Sequence, residues 1–106
     1  MKRVLTTTLN EYKMKKYKII YTRGYNKRAA RFIKKHPELI GQYEKTLKLL
    51  ELNPFHPSLK LHKLSEKLNE LHSVSINISY RITLEFIISE KTIIPVKIGT
   101  HDEAYS

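Results

Sequence analysis

The chain has 106 residues, enough for one domain with one core, and its 41% hydrophobic and 28% charged residues are ordinary for a globular protein. The absence of cysteine excludes disulfides, thiolate nucleophiles and cysteine-based metal sites, and fits a reducing, cytoplasmic setting. No apolar run approaches a membrane span and the N-terminus lacks the apolar core of a secretory signal, while a formal charge of +10 points to a polyanionic partner.

That charge is unevenly placed. Residues 1–35 carry twelve of the 20 lysines and arginines and one acid, Glu11, whereas residues 36–106 are near neutral. Nucleic acid or the ribosome is the simplest partner for such asymmetry. An anionic membrane is the rival, but the basic region lacks the strong apolar face it would need. A purely solubilising surface is the plain alternative.

Residues 1–16 read as a basic N-terminal extension, and residues 17–106 as a single domain. Met14-Lys15-Lys16-Tyr17 resembles a natural start, so the extension could be dispensable. Residues 17–22 are aromatic and β-branched and predict a strand. Gly24 breaks it and Asn26 can cap a helix. Tyr25, Ala29, Phe32 and Ile33 then fall on one helical face, with Lys27, Arg28, Arg31, Lys34 and Lys35 over much of the rest. His36-Pro37 stops this helix, and Pro37 opens a second one. Leu39, Ile40, Tyr43, Leu47 and Leu50 line the second helix, which residues 53–57 end.

Beyond it the period shortens. Leu59, Leu61 and Leu64 suggest an extended segment with His62 opposite Leu61, and residues 65–69 a turn. Residues 72–78 alternate, with Val74, Ile76 and Ile78 on one face and Ser73, Ser75 and Asn77 on the other. Residues 80–88 predict a second strand of this series, and residues 92–98 a third in which Pro95 marks an edge or bulge. The class is α+β: an N-terminal strand, a two-helix antiparallel hairpin, then a three-stranded antiparallel meander completing one sheet, with the hairpin on one face.

The chemistry gathers near the end of the meander, in Gly99-Thr100-His101-Asp102-Glu103-Ala104-Tyr105. An imidazole such as that of His101 can move a proton either way near neutral pH. Tyr105 can stack on a base or donate a hydrogen bond. Arg81, inside a strand, is permanently cationic and shaped to hold a phosphate. Together these suit RNA phosphodiester cleavage, with His62 as a second proton-transfer group and His72 as a further cation. The plainer readings are a surface histidine at 101 and at 62, a strand histidine at 72, an ion pair of Arg81 with Glu85 or Glu103, and a Tyr105 that packs on the sheet. Tyr80 reads as a half-buried sheet aromatic, and His36 and His56 as loop residues beside prolines. The basic helix face of Lys27, Arg28, Arg31, Lys34 and Lys35 suits phosphate binding, or solvation alone. The five histidines show no HExxH or short His-x-His spacing, so neither a metal nor another cofactor is expected.

Three local matches, in this element order, resemble the RelE/ParE toxin superfamily over roughly residues 17–105. Leu61-His62-Lys63-Leu64 is similar to the Leu-x-x-Leu segment before the meander, where the YafQ-like branch has a histidine. Ile78-Ser79-Tyr80-Arg81-Ile82 is similar to the family's Tyr-Arg-hydrophobic strand. Ile98-Gly99-Thr100-His101-Asp102-Glu103-Ala104-Tyr105 is similar to the Gly-x-His-x-x-x-Tyr ending of the YafQ-like mRNA interferase branch. The resemblance implies a toxin of a type II toxin–antitoxin system, partnered by an antitoxin, that cleaves messenger RNA on the ribosome without a metal. It brings His101, Arg81, His62 and Tyr105 to the reaction. Two departures stand out. His72-Ser73-Val74-Ser75 replaces a Trp-Ser-hydrophobic-Arg pattern, removing a second arginine, and Ser75 and Ser79 replace a histidine and an aspartate of the branch. The same fold also admits a ParE-like gyrase inhibitor, or a non-catalytic module that binds RNA or an antitoxin.

Overall fold

A computed structural model describes residues 16–64 and 71–105, with the backbone only for the last two of these. Nearly all of the basic N-terminal extension and the turn expected at residues 65–69 lie outside the described residues.

The first strand, β1 (Lys18–Ile19), is shorter than its aromatic and β-branched sequence suggests. Chain direction changes already at Thr22, whose hydroxyl accepts a hydrogen bond from the Tyr25 amide at 3.1 Å and so caps helix α1 (Arg23–Lys35). The cap is therefore Thr22 and not Asn26. Gly24 lies inside the first helical turn and breaks nothing. At the other end His36 caps the helix before Pro37, which cannot continue it. Pro37 starts a single 3-10 turn, Pro37–Leu39, that leads into α2 (Ile40–Leu52). Asn53 and Pro54 close α2, with the Asn53 side chain accepting from the Phe55 amide.

A 3-10 turn at Pro57–Leu59 and a left-handed Lys60 (φ 49°) redirect the chain into β2 (His62–Lys63). The meander follows as β3 (Leu71–Ser75), β4 (Tyr80–Ile87) and β5 (Thr92–Thr100), and a short helix, α3 (His101–Tyr105), ends the described chain. The sheet order is β1-β5-β4-β3-β2. Only the β1–β5 pair is parallel, and it joins just two residues of each strand. Strand β3 stops at Ser75, earlier than its alternation suggests. Asn77 accepts hydrogen bonds from the Ser79 and Tyr80 amides, at 2.8 and 2.9 Å, and folds the chain into a turn. Ile78 therefore sits fully exposed at a loop tip instead of facing the core with Val74. Pro95 lies beside a bulge: Pro95 pairs with Leu84 and Lys97 with Thr83, leaving Val96 as the extra residue.

One face of the sheet carries the helices. Tyr25 and Ala29 of α1 and Leu50 of α2 pack with Val74, Ile82, Leu84, Phe86 and Ile93, all buried. The Tyr25 and Tyr43 hydroxyls meet at 2.8 Å and tie the two helices together, and burial pushes both phenols above their ordinary titration range. The other face, with Ser73, Ser75, Arg81, Thr83, Lys97 and Gly99, carries no helix from α1 or α2. It follows from the register that pairs Ser75, Arg81 and Gly99 in one row and His62, Ser73, Thr83 and Lys97 in the next.

Candidate functional site

The sheet face opposite α1 and α2 is organised by Arg81. Its Nε donates to Ser73 Oγ at 3.0 Å, and one terminal nitrogen donates to the Lys60 carbonyl at 3.0 Å. Neither partner is the Glu85 or Glu103 considered from the sequence. Ser73 is fully buried, so its hydroxyl is a fixed acceptor. The αL turn at Lys60 aims a carbonyl into the same place. Two neutral acceptors orient the guanidinium while leaving its charge uncompensated by either of them, a suitable arrangement for holding an anion.

His62 shares this face. It stands in the edge strand β2 opposite Ser73, two residues after Lys60, and it is exposed. Arg81 reaches toward this edge. His101 arrives from the opposite side. Gly99 pairs with Arg81, and two residues later His101 opens α3, exposed. The turn that places it is built by its neighbours. The Glu103 carboxylate accepts from the Thr100 amide at 2.9 Å, and Thr100 Oγ1 accepts from the Glu103 amide at 3.3 Å. This reciprocal pair is a capping box, Thr100-His101-Asp102-Glu103, with His101 at the first helical position. The bond to the Thr100 amide lowers the Glu103 pKa below the ordinary carboxylate range. Gly99 is part of the device: a Cβ there would lie 2.9 Å from the Glu103 carboxylate oxygen and 3.0 Å from its Cβ.

Not every expected residue joins the group. His72 lies on the helix-bearing face, where its ring meets Phe86 at 5.7 Å, because consecutive strand residues point to opposite sides. It does not stand beside Arg81, and the phosphate-binding role expected of it loses its geometric basis. The backbone of Tyr105 ends α3, and its side chain lies outside the described residues. His56 accepts from the Ser58 amide in a local turn. The sequence named Glu103 only as a possible ion-pair partner of Arg81, and gave Ser73, Thr100 and Lys97 no functional role. The Thr-x-x-Glu spacing of the capping box was readable there; the Ser73–Arg81 bond was not.

The basic helix divides. Lys27, Arg28, Arg31, Lys34 and Lys35 are all exposed. Arg28, Arg31 and Lys35 line a cleft of about 650 Å³ between α1 and the far end of β5, and Arg28 also donates to the Val96 carbonyl at 3.3 Å. Lys27 and Lys34 do not line it. The cleft also receives Tyr80, the residue before Arg81 but on the other side of the sheet.

The fold, an α+β architecture in which a helical hairpin packs on one face of a small sheet, is shared with solved structures of YafQ and of YoeB- and ParE-type toxins. The chain superposes on YafQ in the E. coli DinJ–YafQ toxin–antitoxin complex with a TM-score of 0.68 and 17% identity, over 86% of this chain and 99% of that one. It superposes on the Staphylococcus aureus YoeB–YefM complex with a TM-score of 0.61 and 17% identity, over 80% and 97%. The YoeB/ParE toxin from Agrobacterium tumefaciens gives 0.60 and 14%, over 79% and 98%. No protein-family model matches the chain, and no curated protein matches it in sequence. Among the described residues no helix is long and apolar enough to cross a membrane.

Proposed function

We propose that this protein is the toxin of a type II toxin–antitoxin pair and acts as a ribosome-dependent messenger RNA endonuclease. The observation that carries the reading is Arg81, held by Ser73 Oγ and the Lys60 carbonyl on the sheet face opposite α1 and α2, with His62 on the edge strand to one side and His101 opening α3 two residues after Gly99, the residue paired with Arg81. Cleavage of an RNA phosphodiester by its own 2′-hydroxyl needs three things. A base must take the 2′-hydroxyl proton, a cation must stabilise the charge building on the phosphate oxygens, and an acid must protonate the departing 5′-oxygen. Arg81 supplies the charge, and His62 and His101 share the two proton transfers. Tyr105 positions the leaving nucleotide. The chemistry needs no metal or other cofactor. The basic face of α1 supports binding to ribosomal RNA. An antitoxin partner is supported by the superposed YafQ and YoeB, both of which were crystallised in complexes with partner proteins.

Primer extension on a reporter messenger RNA in a cell-free translation reaction tests this. New 5′ ends inside the translated region are expected with the wild type, absent without ribosomes and lost in His101→Ala. Cleavage that survives His101→Ala would move its proton transfer elsewhere. No cleavage by the wild type, with DNA supercoiling inhibited instead, would replace the nuclease by a gyrase inhibitor; with neither effect, a non-catalytic module would remain.

A further inference from the structure

The cleft on the helix side of the sheet has a composition that the open face does not explain. Three rings meet at its floor. Phe32 lies 5.2 Å from Tyr80 and 4.8 Å from His36, and His36 lies 4.9 Å from Tyr80, centroid to centroid. None of these pairs is parallel: the Phe32–Tyr80 rings are edge-on at 75°, and the pairs with His36 are tilted at 42° and 50°. No ring of the three therefore stacks flat on another. Phe32 is buried and forms the base, whereas His36 and Tyr80 are half-buried and border the open space. Arg31 and Lys35, one helical turn apart on α1, line the same cleft, as do Arg28, Lys97 and Glu103.

We infer that this cleft is a second RNA-contact site, which takes one unpaired nucleotide with its base against Tyr80 and His36 and its phosphate on Arg31 and Lys35. An inorganic anion or an acidic peptide would use the cations and leave the rings without a role. A planar base beside a phosphate uses both, which is how single-stranded nucleic acid is held elsewhere, by aromatic platforms inside a cationic groove. Glu103 adds an acceptor for an exocyclic amino group of the base. Tyr80 enters the cleft from the side of β4 opposite Arg81, because the two are consecutive in the strand and point to opposite faces. This second site goes beyond the nuclease proposal and does not depend on it, since it requires RNA binding but neither a ribosome nor cleavage.

The test is binding of a short fluorescent oligoadenylate to the isolated full chain by anisotropy, with proton NMR of the aromatic side chains. Upfield shifts are expected at Tyr80 and His36. Both Tyr80→Leu and His36→Ala should weaken binding about five- to tenfold, within the range for one base–aromatic stack. His36→Ala guards against a misfolded Tyr80→Leu. Arg31→Ala with Lys35→Ala should weaken binding further and make the slope of log affinity against log salt shallower by roughly 0.7 for each phosphate no longer neutralised. Inorganic phosphate or a polyglutamate peptide that competes as well as unlabelled oligoadenylate would overturn the inference, as would binding that ignores the ring substitutions. Binding without ribosomal cleavage would retain this site and remove the nuclease; cleavage without binding would do the reverse.

Discussion

Tyr80 and Arg81 are neighbours in sequence and belong to two different regions of the molecule. Arg81 faces the open side, among Ser73, the Lys60 carbonyl and the edge strand of His62. Tyr80 faces the helices, among Phe32, His36 and the cations of α1. The first region is polar, fixed by hydrogen bonds and suited to developing charge. The second is aromatic, walled by cations and suited to holding a planar group. A sheet one layer thick thus keeps a polar, arginine-centred surface and an aromatic, cation-walled cleft apart, while a shared backbone holds both in register.

Substitutions can break that division, and the largest effect is expected at Arg81. Arg81→Gln keeps a hydrogen-bond donor but shortens the side chain and removes the charge. Cleavage should fall about 100- to 1000-fold, the usual cost of losing one transition-state donor, while oligoadenylate binding on the far side persists. Parallel loss of both would show that the two faces are one site. Gly99→Ala comes next. The added methyl has only 2.9 Å to the Glu103 carboxylate, so the capping box must shift, and His101 with it. Ribosomal cleavage should drop by about tenfold or more, with the helix-side core intact by circular dichroism, since about 1.4 kcal/mol of misplacement already corresponds to a factor of ten.

Ser73→Ala is the finer probe of the open face. It removes the acceptor for Arg81 Nε without touching the charge. A loss of about 1 kcal/mol, typical of one such bond, predicts cleavage slowed roughly fivefold through the chemical step, with affinity for the ribosome unchanged. Single-turnover kinetics on stalled ribosomes reads this split. An equal drop in affinity would make Ser73 merely structural. The smallest effect concerns acid. The Glu103 carboxylate has its pKa lowered by the Thr100 amide, so its support for α3 is complete above the ordinary carboxylate range and is lost as pH falls through the lowered value. The Thr100 amide resonance should move in that acidic window while amides of the sheet centre stay put. A Thr100 signal that does not titrate there would show that the capping box contributes nothing.

Much of this was legible beforehand, and the reasons for the rest are physical. The α+β order follows from hydrophobic period and from Pro37, Asn53 and Pro54, which act locally. Arg81 and His101 stand out by residue type and position in the chain. His72 was offered as a cation near the phosphate because alternation alone does not say which set of alternate residues meets the helices. Val74 settles it: that residue is buried in the core, so Ser73 belongs to the open face and His72 does not. The early end of β3 depends on the Asn77 side chain outcompeting another ladder step, a choice of comparable energies that pattern does not decide. The cluster of Phe32, His36 and Tyr80 depends on where α1 crosses the sheet, which is set by the whole core.

The extra residue at Val96 has a consequence for how this chain tolerates changes of length. Before it, the odd-numbered members of β5, Ile93 and Pro95, are buried opposite Phe86 and Leu84; after it, the even-numbered Ile98 is the one opposite buried Ile82. The parity of the strand is inverted halfway along. Removal of the extra residue would restore regular pairing, yet Lys97 would still stand opposite Thr83 and Gly99 opposite Arg81, so the His101 turn would keep its place. The bulge thus gives this chain a point at which its length can change by one residue while its last histidine stays where it is.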